Sequence, residues 1–180
     1  MLNRIYCFEV VEGQEWLVPT DAGDVERLFA LDGSAIHDWR PPAMKLLTHD
    51  ESGRARTYSD FPWLGEHAPI FRPRAFERLS EVALNYGQLL PLRGEDAWLY
   101  NVTNVLDCLD HERSRIACFD DGAILAIEQY AFKADRIGAA EIFKLPGRAS
   151  SVFVTESFVS RVRKSGLVGV SFRLLATLPG

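Results

Sequence analysis

The stretch from Pro73 to Gly87 constrains the fold more than any other part of this chain. Pro73 suits a first helical position, because its fixed φ matches the helix and the N–H it lacks would be unpaired there anyway. Behind it Ala75, Phe76, Leu79, Val82, Ala83 and Tyr86 recur at helical spacing as one apolar stripe, which Gly87 ends. Arg74, Glu77, Arg78 and Glu81 lie off that stripe. A helix that is apolar on one side must be laid on another element, and most of the remaining chain is strand-like. Asn3–Val10, Trp16–Val18, Met44–Thr48, Gln88–Leu92, Ala97–Val102, Arg115–Phe119, Ala123–Tyr130 and Glu141–Leu145 are short apolar or β-branched runs bounded by Gly, Pro or Asp. The first two are expected to form a hairpin about Glu12-Gly13-Gln14, and the runs after Gly87 an antiparallel sheet.

Two shorter helices are expected. Asp21 to Leu31 would turn Val25, Leu28 and Phe29 inward behind an Asp21 or Asp24 cap, and Glu156 to Ser165 would bury Phe158, Val159 and Val162 between a Thr155 cap and Gly166. Val152–Val154 before the last helix and Val168–Leu175 after it complete a C-terminal strand-helix-strand unit. Asp60 to Pro73, with three prolines and Phe61, Trp63 and Phe71, reads as a loop that either folds back on the core or is exposed for contact. The fold class is therefore α+β: mainly antiparallel sheet, two or three packed helices and that C-terminal unit. A length of 180 residues fits a single domain over 1–180, given roughly 100 to 200 residues per domain.

At 47% hydrophobic and 25% charged residues the composition is that of a soluble globular chain rather than a disordered one. Arg4 and Glu9 bracket the first apolar run, which argues against a secretion signal, and the run Ala123 to Ile127 is far too short to span a bilayer. Cys7, Cys108 and Cys118 lack a paired framework and suit a reducing cytoplasm. Charge is segregated along the chain. From Glu95 to Glu128 eight acids, including Asp107, Asp110, Glu112, Asp120 and Asp121, face two bases, whereas from Gln129 onward eight bases face three acids. Such segments are either two solvated surfaces that partly neutralise each other or an acidic face that steers a basic protein partner. The overall charge of −5 disfavours nucleic acid as a partner. Arg161, Arg163 and Lys164 crowd the C-terminal half of the last helix, where they either complement its dipole or form an anion patch.

Motifs for chemistry are sparse. Cys108, His111 and Cys118 lack the second ligand pair that a zinc site needs, and Cys118, alternating with Ile116, reads as a buried thiol. No nucleophile elbow, phosphate loop or dinucleotide fingerprint is present, so no cofactor, metal or catalytic residue is assigned. His37, His49, His67 and His111 all stand in polar, loop-like contexts and are expected to be exposed. Trp63, in the proline-rich loop, is a candidate exposed anchor. An acid–base pair assembled only by the fold would make the chain a small hydrolase or transferase, and a ligand-sensing scaffold is a further alternative.

Several runs occur in a telling order: Asp60-Phe61, the helix at Ala75–Leu84, Gly87-Gln88-Leu89-Leu90-Pro91-Leu92, Trp98-Leu99-Tyr100-Asn101-Val102-Thr103-Asn104-Val105-Leu106-Asp107, Leu109-Asp110, Ile142-Phe143-Lys144-Leu145, Val152-Phe153-Val154-Thr155-Glu156-Ser157-Phe158 and Gly166-Leu167-Val168-Gly169-Val170. Together they resemble the family eleven immunity proteins of bacterial polymorphic toxin systems. The resemblance covers residues 60–175, while 1–57 matches poorly. It implies a non-catalytic cytoplasmic protein that binds and neutralises a cognate toxin; the acidic segment separately suits a basic, nuclease-like toxin domain, and the chain is expected to be a monomer or dimer. The matching positions are apolar or turn residues, so the resemblance carries no site residues. The candidate partner-binding set rests on charge and exposure instead: Asp107, Asp110, His111, Glu112, Asp120, Asp121 and Trp63.

Overall fold

In the computed structural model, residues 3–122 and 124–178 are described. Met1, Leu2, Ala123, Pro179 and Gly180 fall outside them, including the first residue of the expected Ala123–Tyr130 strand. In chain order the elements begin with β1 (Asn3–Glu9), β2 (Trp16–Pro19), α1 (Ala22–Phe29), β3 (Met44–Leu47), β4 (Ile70–Phe71) and α2 (Pro73–Ala83). There follow β5 (Gly87–Pro91), β6 (Trp98–Val102), β7 (Arg115–Cys118), β8 (Ile124–Gln129) and α3 (Ala134–Ile137). The chain closes with β9 (Ile142–Phe143), β10 (Phe153–Thr155), α4 (Glu156–Lys164) and β11 (Ser171–Leu178). This is an α+β fold whose strand pairs are antiparallel.

The main sheet runs β11-β1-β10-β9. Its centre is β1, in which Ile5, Tyr6, Cys7 and Phe8 are all buried. Successive strand residues point to opposite faces, so a run without polar alternation belongs where both faces are covered. One face, through Tyr6, Phe8 and Val154, joins α4 and α2 in the largest core cluster. The other, through Ile5, Phe153, Phe143 and Leu178, packs on Leu109, Phe132 and Ile137. Both β10 and β11 pair antiparallel with β1. They are therefore parallel to each other, and the C-terminal strand-helix-strand unit encloses the N-terminal strand.

This pairing overturns the expected N-terminal hairpin. β2 pairs instead with β3, from Trp16↔Leu47 to Pro19↔Met44, because β1 is claimed on both edges. The strands after Gly87 likewise divide. β5 and β6 form a three-stranded sheet with β4, β7 and β8 form a separate ribbon, and β9 joins the main sheet. The proline-rich segment is a loop apart from β4, and it folds back on the core. Asp60 is wholly buried, its carboxylate accepting from Val168 N (2.8 Å), Tyr58 Oη (3.1 Å) and Arg74 Nη1 (3.2 Å).

The helices agree with the spacing in place and differ in detail. In α2 Ala75, Leu79, Val82 and Ala83 are buried, while Phe76 stacks on Trp98 with ring centroids 4.4 Å apart. α1 is capped by Asp21, which accepts from Gly23 N, but only Leu28 is buried. Val25 and Phe29 remain exposed, Phe29 covering the His67 ring. Thr155 occupies the cap position of α4 without a capping hydrogen bond, and α3 is an element the periodicity did not signal.

Candidate functional site

After β6 the chain runs beside β9. Lys144 N donates to Asn104 O (3.0 Å) and Leu106 N to Lys144 O (2.8 Å), which turns the Asp107 side chain outward while Cys108 and Leu109 are buried. Asp110 staples the next turn, its Oδ1 accepting from Glu112 N and Arg113 N at 3.2 Å. His111 and Glu112 are exposed on that turn. The ribbon β7–β8 then leaves the body, tied at its root by Asp110 N to Ala131 O (2.9 Å) and by the Ser114–Ala131 pair. Asp120 and Asp121 occupy its tip, where Gly122, at φ 84°, donates to Phe119 O (2.9 Å).

Two irregularities shape the ribbon. Ile116 faces Ile127 and Ala117 faces Ala126, yet Arg115 faces Gln129 and Cys118 faces Ile124, so Glu128 and Leu125 are extra residues on β8. A bulge re-aims the side chains around it. Here it lets Ile124 and Ile127, which simple alternation would put on opposite faces, both line one groove. Leu125 is left 58% exposed, beside Phe119 at 54% and Ile124 at 47%.

The groove, about 480 Å³, lies between the ribbon and the loop after β9. Its apolar lining is Ile124, Ile127, Leu145 and Phe153, with Asp107 and His111 on the ribbon side and Arg148 on the loop side. The loop is held firmly: Ala149 N donates to Leu31 O (3.0 Å), Arg148 Nε to Phe29 O (3.1 Å) and Leu145 N to Ser150 Oγ (3.0 Å). Ala149 has φ 53°, the left-handed region an L-residue occupies at a cost of about 1 to 2 kcal/mol.

Asp107 and His111 are thus brought to one groove, Glu112 stands on the adjoining turn, and Asp120 and Asp121 stand at the ribbon tip. Asp110 works chiefly as a turn staple. Part of the acidic balance is neutralised locally, Glu128 pairing with Arg115 at 2.6 Å. Trp63 lies elsewhere: half-buried against the largest core cluster, its backbone is bonded to Glu15 and Leu17. Among the described residues no group of three or more His, Cys, Asp or Glu is placed to hold a metal ion, and no helix is long and apolar enough to cross a membrane.

Two sequence expectations need correction. Cys118 is exposed, because β7 belongs to a projecting ribbon and not to the core. His67 is buried, and burial first and Lys144 second lower its pKa to about 4. Its Nε2 has no hydrogen-bond partner among the described residues. Lys144 itself was not anticipated as a buried cation. It is 1% exposed, and its Nζ reaches Leu31 O (3.5 Å) and His67 O (3.4 Å). Burial lowers its pKa to about 8, partly offset by Asp32. The signal was its position in Ile142-Phe143-Lys144-Leu145, an otherwise apolar run. Cys7 and Cys108 are buried thiols, each pushed up to about 12 chiefly by burial.

No curated protein matches the chain. A family model does, over residues 90–177, a span that starts at Leu90 rather than Asp60 and includes the acidic turn, the ribbon, the groove and the β9-β10-α4-β11 end of the fold. Its description is immunity protein family (Imm11), and residues 90–177 of the chain are similar to that family.

Proposed function

We propose that the protein neutralises a cognate bacterial toxin by binding it through the β7–β8 ribbon and the groove at its root, in the cytoplasm of the producing or a sibling cell. The observation that carries this reading is the exposure of Phe119, Ile124 and Leu125 on a ribbon whose strands, among the described residues, pair only with each other, beside the carboxylates at its tip. Large apolar side chains clustered on a projecting element mark contact surfaces. Acids around them favour a basic partner, of which a nuclease-like domain is the natural example, and would raise the association rate more than the final affinity. Binding is the whole of the activity: an interface of about 1,200 to 2,000 Å² placed over the toxin's working site inhibits it without chemistry.

The test is co-expression with the toxin encoded beside this gene, comparing the wild type with a Phe119→Ser/Ile124→Ser/Leu125→Ser variant. These side chains are exposed, so the variant should keep its circular dichroism spectrum and melting temperature. Loss of apolar anchors at an interface centre costs about 2 kcal/mol or more, roughly 30-fold in affinity, and growth rescue should fail. A variant that binds as tightly as wild type and still rescues growth removes the ribbon from the interface.

A further inference from the structure

The basic residues of α4 are not used by the toxin-binding reading, and their placement suggests a role of their own. Ser157, Ser160, Arg161 and Lys164 follow one another at i, i+3, i+4 and i+7, so they form one ridge along the helix. Its opposite side buries Phe158, Val159 and Val162. Across from this ridge stands Arg78, on the outer side of α2. Between the two helices lies a hollow of about 440 Å³ lined by Arg78, Ser157, Ser160, Arg161, Lys164 and Ser165, with no carboxylate and no apolar side chain in the lining.

Helix electrostatics account for only part of this arrangement. Cations in a last turn are stabilised by the helix dipole by about 0.3 to 1 kcal/mol, and that covers Arg161, Arg163 and Lys164 equally. Arg163, however, is paired with Glu156 at 3.6 Å and is absent from the hollow. Arg78 belongs to the middle of another helix, where the dipole offers nothing. Among the described residues neither Arg78 nor Lys164 has an ion pair or a side-chain hydrogen bond, and the Ser157 hydroxyl is also without a partner. In a chain with 25 acids and 20 Lys and Arg, cations left unpaired around a concavity provide donors for a ligand that brings its own negative charge.

The extent of the positive zone indicates the size of that ligand. The adjoining hollow shares Arg78 and Arg161 but adds Glu81 and Glu141, and Glu141 accepts from Arg161 Nη2 at 3.3 Å. A nucleic-acid backbone continuing past the first phosphates would meet these carboxylates. We infer that the α2–α4 hollow is a binding site for a compact phosphorylated small molecule, whose phosphoryl oxygens accept from Arg78, Arg161 and Lys164 with Ser157 as a neutral donor. This site is independent of the toxin-binding ribbon.

The test titrates the intact protein in physiological salt with inorganic phosphate, pyrophosphate and a single-stranded oligothymidylate, following binding by calorimetry and by amide chemical shifts. Pyrophosphate should bind saturably at one site, with shifts confined to α2 and α4, and more tightly than phosphate. Arg78→Gln/Lys164→Gln should weaken it by about 30-fold or more, the loss of two charge-assisted contacts. Arg163→Gln, which removes the same type of charge outside the hollow, should leave affinity within about twofold; all these side chains are exposed, and equal melting temperatures will verify the fold. No saturable binding of either anion overturns the proposal. So does an equal loss in Arg163→Gln, which would reduce the effect to net charge, and so does an oligonucleotide that outcompetes pyrophosphate, which would make the hollow part of a nucleic-acid track.

Discussion

Replacing Lys144 by Met should make the protein more stable at neutral pH and remove a pH dependence that wild type shows in alkali. The ammonium is 1% exposed and makes only two long hydrogen bonds, at 3.4 and 3.5 Å, to the carbonyls of His67 and Leu31. Burial lowers its pKa from 10.5 to about 8, which corresponds to roughly 3 kcal/mol of native-state cost whenever the amine is protonated in both states. Between pH 8 and 10.5 the unfolded chain binds more protons at this site than the native protein, so native stability rises with pH across that window. From pH 7 to pH 10 the gain at this one group comes to about 2.5 kcal/mol. Methionine keeps an unbranched side chain in the same slot and carries no charge. It forfeits two hydrogen bonds of about 0.5 to 1.5 kcal/mol each, less in total than the cost removed at pH 7 under most of that range. The assay is urea unfolding at a series of pH values, followed by the fluorescence of the four tryptophans. The variant should be more stable than wild type at pH 7 by about 1 kcal/mol, and wild type should recover about 2.5 kcal/mol relative to it by pH 10. A wild-type minus variant difference that stays level over that range would refute the claim that this ammonium is desolvated.

His67 gives the complementary acid effect. Its pKa is lowered to about 4, so stability is intact above pH 6.5 and about 3 kcal/mol is lost as pH falls to 4; in His67→Phe the acid limb of a denaturation profile should be shallower by that amount. Ala149→Gly relieves a left-handed residue and should raise stability by about 1 kcal/mol in a thermal melt, with toxin binding unchanged or slightly weaker if the loop loosens. Converting Asp107, Asp110, Glu112, Asp120 and Asp121 together to their amides should slow toxin association at low salt and flatten its salt dependence, read by stopped-flow, while the dissociation rate changes little.

What the chain disclosed of itself follows the range of the forces involved. The α2 stripe is a local pattern, and the packing of Leu79 and Val82 was readable from spacing. That β1 is a strand was also readable. That it is a central strand was not, because its partners lie about 150 residues away at Phe153 and about 170 away at Leu178. Asp60 shows the same limit for polar groups: an aspartate beside Phe61 gives no sign that Val168 and Arg74 will converge on it. The candidate site was half legible. Charge counting located the acidic turn and ribbon, but alternation misjudged Cys118, since it cannot tell a ribbon projecting into solvent from a strand in a sheet. The bulge at Leu125, which builds the groove wall, involves pairing across the ribbon and leaves no mark in composition.

The seating of β1 between β10 and β11 bears on how such a protein comes off the ribosome. Residues 3–9 are synthesised well before their partners, are apolar on both sides, and have no edge to join until residues 153–178 have emerged. Until then the segment is a sticky strand awaiting its slot, a natural client for chaperones. A product cut short before β11 would leave one side of that strand unzipped, so truncated copies should aggregate rather than offer weak protection.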